Sequence, residues 1–201
     1  MANDQVREPK QKRAIEKKQK IIKAATECFS TKGYENSSVS EIAKKAEVSV
    51  GIVYSYFKDK KGIFLAILVN ETNNIINYLE EFIVKADNKS NDLEDFIIYL
   101  IDVLIKFHKD NRQIQTDIEI LRKNDEYIEK CWSSIEDEIV NRLVYYLEVK
   151  KQNIVNPYEK INIAYLLVEN LCHETIIHQK DKVNLDILKQ ETINVIINLL
   201  C

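Results

Sequence analysis

The 201 residues are 45% hydrophobic and 30% charged, and a chain of this length buries roughly 70% of the surface its unfolded form exposes, so it needs no disulfide or metal to hold a core. Its four cysteines (Cys28, Cys131, Cys172, Cys201) form no Cys-x-x-Cys pair, its three glycines all lie at or before Gly62, and its longest apolar run, Ile63 to Val69, is too short for a bilayer; zinc ribbons, later glycine-rich phosphate cradles and a spanning helix are excluded, and a cytoplasmic, cofactor-free protein is expected. The net charge of −3 is divided, with 14 Lys/Arg against 8 Asp/Glu in residues 1–61 and 15 against 24 in residues 62–201, which points to a polyanion-binding surface near the N-terminus.

From about Lys12 to Thr31, Ile15, Ile22, Ala25, Cys28 and Phe29 mark the apolar face of a first helix, which Gly33 can end in a left-handed conformation. Ser38 and Glu41 stand in capping-box relation ahead of a second helix, Val39 to Ala46. After a tight turn at Glu47–Val48, Ser49 can cap a short third helix reaching Tyr56, with Val53 and Phe57 turned inward. Such a helix, turn, helix unit inserts its later helix in the major groove of DNA. The outward face is Val50, Gly51, Ile52, Ser55 and part of Tyr54 and Tyr56. Apolar side chains there can meet thymine methyls, a glycine permits close backbone approach, and Tyr54, Tyr56 and Lys60 can reach phosphates. A solvated charged face on the first helix, and a third helix buried against another protein, are the alternatives.

The run Ile21-Ile22-Lys23-Ala24-Ala25, then Phe29, Gly33-Tyr34, Ser37-Ser38-Val39, Glu41-Ile42-Ala43, Val48-Ser49, Gly51, Tyr54, Phe57 and Lys60, resembles the N-terminal signature of the tetracycline-repressor (TetR) family of bacterial transcriptional regulators. Two residues depart from it: Glu47 stands where the family usually has the turn glycine, and Ile52 where threonine is common. The resemblance implies phosphate contacts from Ser38, Tyr54, Tyr56 and Lys60, base contacts between Ser49 and Ser55, and Lys12, Arg13 and Lys18 near the DNA backbone or an adjacent groove. It also implies an all-α fold of about nine helices, divided into a DNA-binding domain (residues 1–59) and a ligand-binding and dimerisation domain (residues 60–201).

Asp59 can cap a fourth helix from Lys60 to about Val84, and further helices are expected at Asp92–Lys109, Arg112–Lys123, Asp125–Lys151, Pro157–Gln179 and Leu185–Leu200. Asn156 is expected to cap the eighth, with Pro157 in its first position. The last two carry broad apolar stripes, Ile161, Ala164, Leu167, Val168, Leu171, Thr175 and Ile176, then Leu185, Leu188, Thr192, Val195, Ile196 and Leu199. Pairing with a second copy would bury them as a four-helix bundle, and two-fold symmetry implies a palindromic operator with half-sites ~34 Å apart or a multiple of that. Aromatic residues at helical spacing in the middle helices are ordinary core or line a pocket for an unidentified small-molecule effector, with Tyr99, Phe107, His108, Trp132 and Tyr145 as candidates. His173 and His178 lie five apart beside Cys172, which fits no metal spacing, and none is assigned. No nucleophile–base motif marks an enzyme. The expected function is a ligand-responsive repressor acting as a homodimer on duplex DNA; the alternative is a helical protein–protein adaptor.

Overall fold

The computed structural model describes residues 7–86, 93–149 and 154–200. The described residues form nine α-helices: α1 (Arg7–Lys32), α2 (Val39–Lys45), α3 (Val50–Tyr56), α4 (Lys60–Ala86), α5 (Leu93–Asp110), α6 (Arg112–Asn124), α7 (Glu126–Val149), α8 (Pro157–Cys172) and α9 (Leu185–Leu200), with a π-helical turn at His173–Ile177 after α8. The all-α expectation holds. The chain divides into two compact units, Met1–Asn70 and Glu71–Cys201.

In the first unit, α1 packs on α2 and α2 on α3. Ile21, Phe29, Ile42, Ile63 and Phe64 are fully buried. Tyr34 joins Phe29 and Phe64 in an aromatic cluster with ring centroids 5.1–5.8 Å apart, edge-on and tilted as ring quadrupoles favour. Local signals place the joints: Gly33 ends α1 at φ 80°, Ser38 and Glu41 close their capping box at the start of α2, and Ser49 accepts from the Ile52 N–H to start α3. Asp59 Oδ1 accepts from the Gly62 N–H at 2.8 Å to start α4. Helix α1 begins five residues before the expected Lys12, with Pro9 in its first turn, where the missing N–H costs nothing.

In the second unit, α8 packs on α9, α7 and α5, and α5 on α9, around a core that includes Phe96, Ile101, Leu147, Tyr165, Leu171 and Ile196. Two expectations need correction here. Asn156 adopts a left-handed conformation with φ 53° and makes no side-chain cap bond, so the first turn of α8 rests on Pro157 and a backbone bond from the Lys160 N–H to the Asn156 carbonyl. The apolar stripes of α8 and α9 are largely the unit's own core: Ile161, Ala164, Val168, Leu171, Ile176, Thr192 and Ile196 are buried. These helices leave Ile163 and Leu166 on α8 and Ile187 and Val195 on α9 exposed, and of these only Val195 belongs to the expected stripes. Among the described residues no helix is long and apolar enough to cross a membrane.

Candidate nucleic-acid interface

The turn between α2 and α3 is built by three backbone bonds: Ala46 N–H to the Ile42 carbonyl, Glu47 N–H to Lys44 and Val48 N–H to Ala43, at 2.8–3.1 Å. Glu47 sits at φ 53°, a left-handed conformation that costs a residue with a Cβ roughly 1–2 kcal/mol. Lys20 holds its carboxylate at 2.5 Å and keeps it below the usual carboxylate range.

That turn fixes which face of α3 looks outward. Val53 and Phe57 are buried. Ser49, Val50, Gly51, Tyr54 and Ser55 are exposed, while Ile52 and Tyr56 are half-buried. Val50 exposes 37% and Tyr54 53% of their surface, so this short helix offers apolar and phenolic groups that nothing in its own unit covers. A Cβ added at Gly51 would meet only the Ser49 hydroxyl, at 3.9 Å. The unit's own packing therefore does not require glycine there, although glycine inside a helix costs up to about 1 kcal/mol relative to alanine.

Around this face the predicted cations fall into two groups. Lys12, Arg13 and Lys18 are exposed on α1, and the Lys18 ammonium lies 5.9 Å from the Phe57 ring centre, which brings it beside the end of α3. Lys60 is placed otherwise. Its ammonium donates to the carbonyls of Tyr34, Glu35 and Ser37 at 2.8–3.4 Å and sits 4.2 Å from the centre of the Tyr34 ring. All three N–H groups are thus directed at the α1–α2 connection, so Lys60 ties that loop to the start of α4, a role the sequence pattern did not reveal. Ser38 is exposed, but its hydroxyl and backbone N–H both engage Glu41. Bonds from Lys32 and from both groups of Ser38 hold Glu41 down to about 2.

The five candidate ligand residues of the second unit do not converge. Trp132 lines a cleft of about 380 Å³ with Gln115, Glu119, Arg122, Glu169 and His173. Its indole N–H donates to Glu136 at 2.6 Å, and the Arg122 guanidinium lies over its ring at 5.5 Å. Tyr145 is exposed beside a separate cavity of about 150 Å³ lined by Ile76, Phe96 and Arg142. Phe107 is half-buried against the core, and Tyr99 is half-buried on α5. His108 is buried, its Nδ1 2.9 Å from the Leu104 carbonyl. Burial opposes its charge, yet the neighbouring Cys172 and Glu169 outweigh that and raise its pKa. A further cavity of about 40 Å³ has wholly apolar walls, among them Ile75, Phe96, Ile101, Leu143 and Val168.

Residues 21–67 match the pattern of the family described as bacterial regulatory proteins, tetR family. The chain is 35% identical over 121 residues to the fatty acid metabolism regulator protein of Bacillus subtilis (strain 168), a match covering 60% of each chain. It is 32% identical over 108 residues to an HTH-type transcriptional regulator of Staphylococcus aureus (strain bovine RF122 / ET3-1), covering 54% of this chain and 56% of that protein. The matched stretch thus spans less than two thirds of these relatives' lengths. Among solved structures, the fatty acid degradation regulator FadR of Bacillus halodurans superposes with a TM-score of 0.69 at 19% identity, covering 89% of this chain and 96% of its own. A transcriptional regulator of Aquifex aeolicus superposes with a TM-score of 0.66 at 21% identity, covering 91% and 99%. At such identities the likeness establishes the shared all-α fold alone. Residues 21–67, which hold the helix-turn-helix of α2 and α3, thus carry the pattern of the tetR family of bacterial regulatory proteins.

Proposed function

We propose that this chain is a transcriptional regulator of the tetR family that binds duplex DNA through α3 as a homodimer, on a palindromic operator, and represses transcription until a small molecule releases it. The observation that carries the DNA reading is Gly51: it sits in an exposed apolar helix face, where an added Cβ would make only an ordinary contact with the Ser49 hydroxyl at 3.9 Å. A glycine kept at that cost fits a surface that another backbone must approach closely. Val50 and Ile52 flank it, suited to thymine methyls, and Tyr54 and Tyr56 bring hydroxyls to the phosphates. Lys12, Arg13 and Lys18 supply the charge that attracts the polyanion. Lys60 acts by holding the loop ahead of α2, whose Ser38 lies at the start of that helix.

The exposed residues of α8 and α9 support pairing of two copies there, which would match the protein's symmetry to that of the operator. The effector is proposed to be apolar, such as a fatty acyl compound. Two observations support that class: the apolar walls of the core cavity, and the identity to a fatty acid metabolism regulator. At about 40 Å³ the cavity must widen to admit it, and only a ligand with different affinity for the two arrangements can shift them. Such repacking would act through α4, which starts at Lys60 and continues into the second unit.

Gly51→Ala tests the DNA reading without confounding it with folding. The substitution is expected to stabilise the free protein by about 0.5–1 kcal/mol, measured by denaturant unfolding, while weakening its binding to a duplex selected from a random-sequence pool. Unchanged DNA affinity would remove α3 from the interface, as an adaptor would require.

A further inference from the structure

The chain's three histidines, His108 and, 65 residues later, His173 with His178, stand in one row, with ring centroids 5.8 Å and 5.9 Å apart. Two carboxylates lie among them. Glu169 Oε2 is 3.5 Å from His108 Nε2 and 3.8 Å from His173 Nε2, and Glu119 Oε2 is 3.1 Å from His178 Nε2 and 3.9 Å from His173 Nδ1. We propose that His108 Nε2, His173 Nε2 and Glu169 form a binding site for a divalent late first-row transition-metal ion.

Four observations support this triad. His108 is 1% exposed, and its Nε2 is buried without a hydrogen-bond partner while aimed at Glu169. A buried ring nitrogen in that state is costly unless it carries a proton toward Glu169 or gives its lone pair to a cation that takes the proton's place. Its other nitrogen lies 2.9 Å from the Leu104 carbonyl, and donation there would fix the tautomer that leaves Nε2 free to ligate, the usual support of a metal-bound imidazole. The spacings of 3.5 Å and 3.8 Å come within roughly half an ångström of the ~3.3–3.5 Å edge of a tetrahedron with Zn–N and Zn–O arms of ~2.0–2.2 Å. Glu169 is largely buried and faces the two imidazoles, with no Lys or Arg partner among the described residues. A cation between these three groups would compensate that carboxylate.

The same geometry argues against Glu119, His173 and His178 as the primary site. Glu119 already accepts from Lys123 at 2.8 Å and contacts His178 at 3.1 Å, and His178 is exposed. The local backbone fits a built site. Immediately after α8 the chain makes a π-helical turn, with the His178 N–H donating to the His173 carbonyl at 2.8 Å, and single π turns concentrate at functional sites. Glu169 and His173 both line the 380 Å³ cleft, so a fourth coordination position would open to water or an exchangeable ligand. Two imidazoles and one carboxylate suit Zn²⁺, Co²⁺ or Ni²⁺, while Mg²⁺ and Ca²⁺ favour all-oxygen sites.

The test uses the full chain, stripped with a chelator and titrated with Zn²⁺, Co²⁺ and Mg²⁺ by calorimetry and visible absorption. Expected are saturable uptake of one Zn²⁺ or Co²⁺, the intense visible bands of tetrahedral Co²⁺, and no uptake of Mg²⁺. His173→Gln and His108→Gln should abolish uptake, while His178→Gln should leave uptake intact and weaken it by about 10–100-fold at most, as loss of an outer residue does. Far-UV circular dichroism checks that each variant folds, and Glu169→Gln replaces His108→Gln if that one does not. Failure of the folded wild type to take up either transition ion would overturn the site. So would uptake that survives His173→Gln, or that is lost in His178→Gln but kept in His108→Gln.

Discussion

The two units differ in the polar groups they place below their surfaces. In the first, the ion pairs Lys20–Glu47, Lys32–Glu41 and Lys45–Glu27 lie at the surface, their side chains 42–78% exposed, and the fully buried interior is aliphatic and aromatic. The second also has surface pairs such as Lys106–Asp110 and Lys130–Glu126, but there Arg122 reaches Glu136 at 3.2 Å with both side chains largely buried, Glu136 accepts from Trp132, and His108 and Glu169 meet beneath the surface. The first unit is thus an apolar frame that presents a surface, while the second also holds ionisable groups in its interior. Perturbing each should therefore produce different kinds of loss.

The largest effect is expected at the frame. Phe29→Ala removes a ring that is 0% exposed and touches both Tyr34 and Phe64, and should cost about 3–5 kcal/mol, read in denaturant unfolding as early loss of the first unit together with DNA binding. A smaller loss, about 1–3 kcal/mol, is expected from Arg122→Ala. It strips the counter-charge from Glu136, whose carboxyl burial already pushes up, and uncovers the Trp132 ring; tryptophan fluorescence should report the change. Glu47→Gly should go the other way. Relief of the φ 53° conformation stabilises by roughly 1 kcal/mol, and the exposed pair with Lys20 that is lost is worth less. A lower unfolding midpoint for that variant would mean the ion pair dominates the turn.

The smallest effect is a pH dependence. Glu41 is depressed from 4.5 to about 2 by Lys32 and the two groups of Ser38. A depressed carboxylate contributes stability that is fully present above its unfolded value and is lost as pH falls through the folded one. Glu41→Gln should therefore flatten the stability of the first unit between pH 4.5 and 2, and an identical acid profile for variant and wild type would show that these bonds do not form in solution.

What could be read from the sequence divides along the range of the interactions. Gly33, the Ser38–Glu41 box, the Ser49 cap and the inward Val53 and Phe57 act within a few residues, so spacing alone reveals them. Lys60 reaches carbonyls 23–26 residues away, and no local pattern distinguishes that tether from a phosphate ligand. The stripes of α8 and α9 show apolar faces, but only packing against α5 and α7 shows that most of them are internal. The histidine row leaves no local pattern in the sequence. His173 and His178 look mismatched on an ideal α-helix, whereas a π turn and two carboxylates from α6 and α8 bring them into one row with His108 of α5.

Binding of the purified protein to the duplex flanking its own gene, followed in a salt titration, tests DNA recognition by α3. Binding through α3 and the cations of α1 predicts a sequence-specific complex whose log affinity falls linearly and steeply with log salt as phosphates release counterions. An affinity indifferent to salt, or no complex at low salt with that or any other duplex, would contradict it and favour a protein partner for the exposed face of α3.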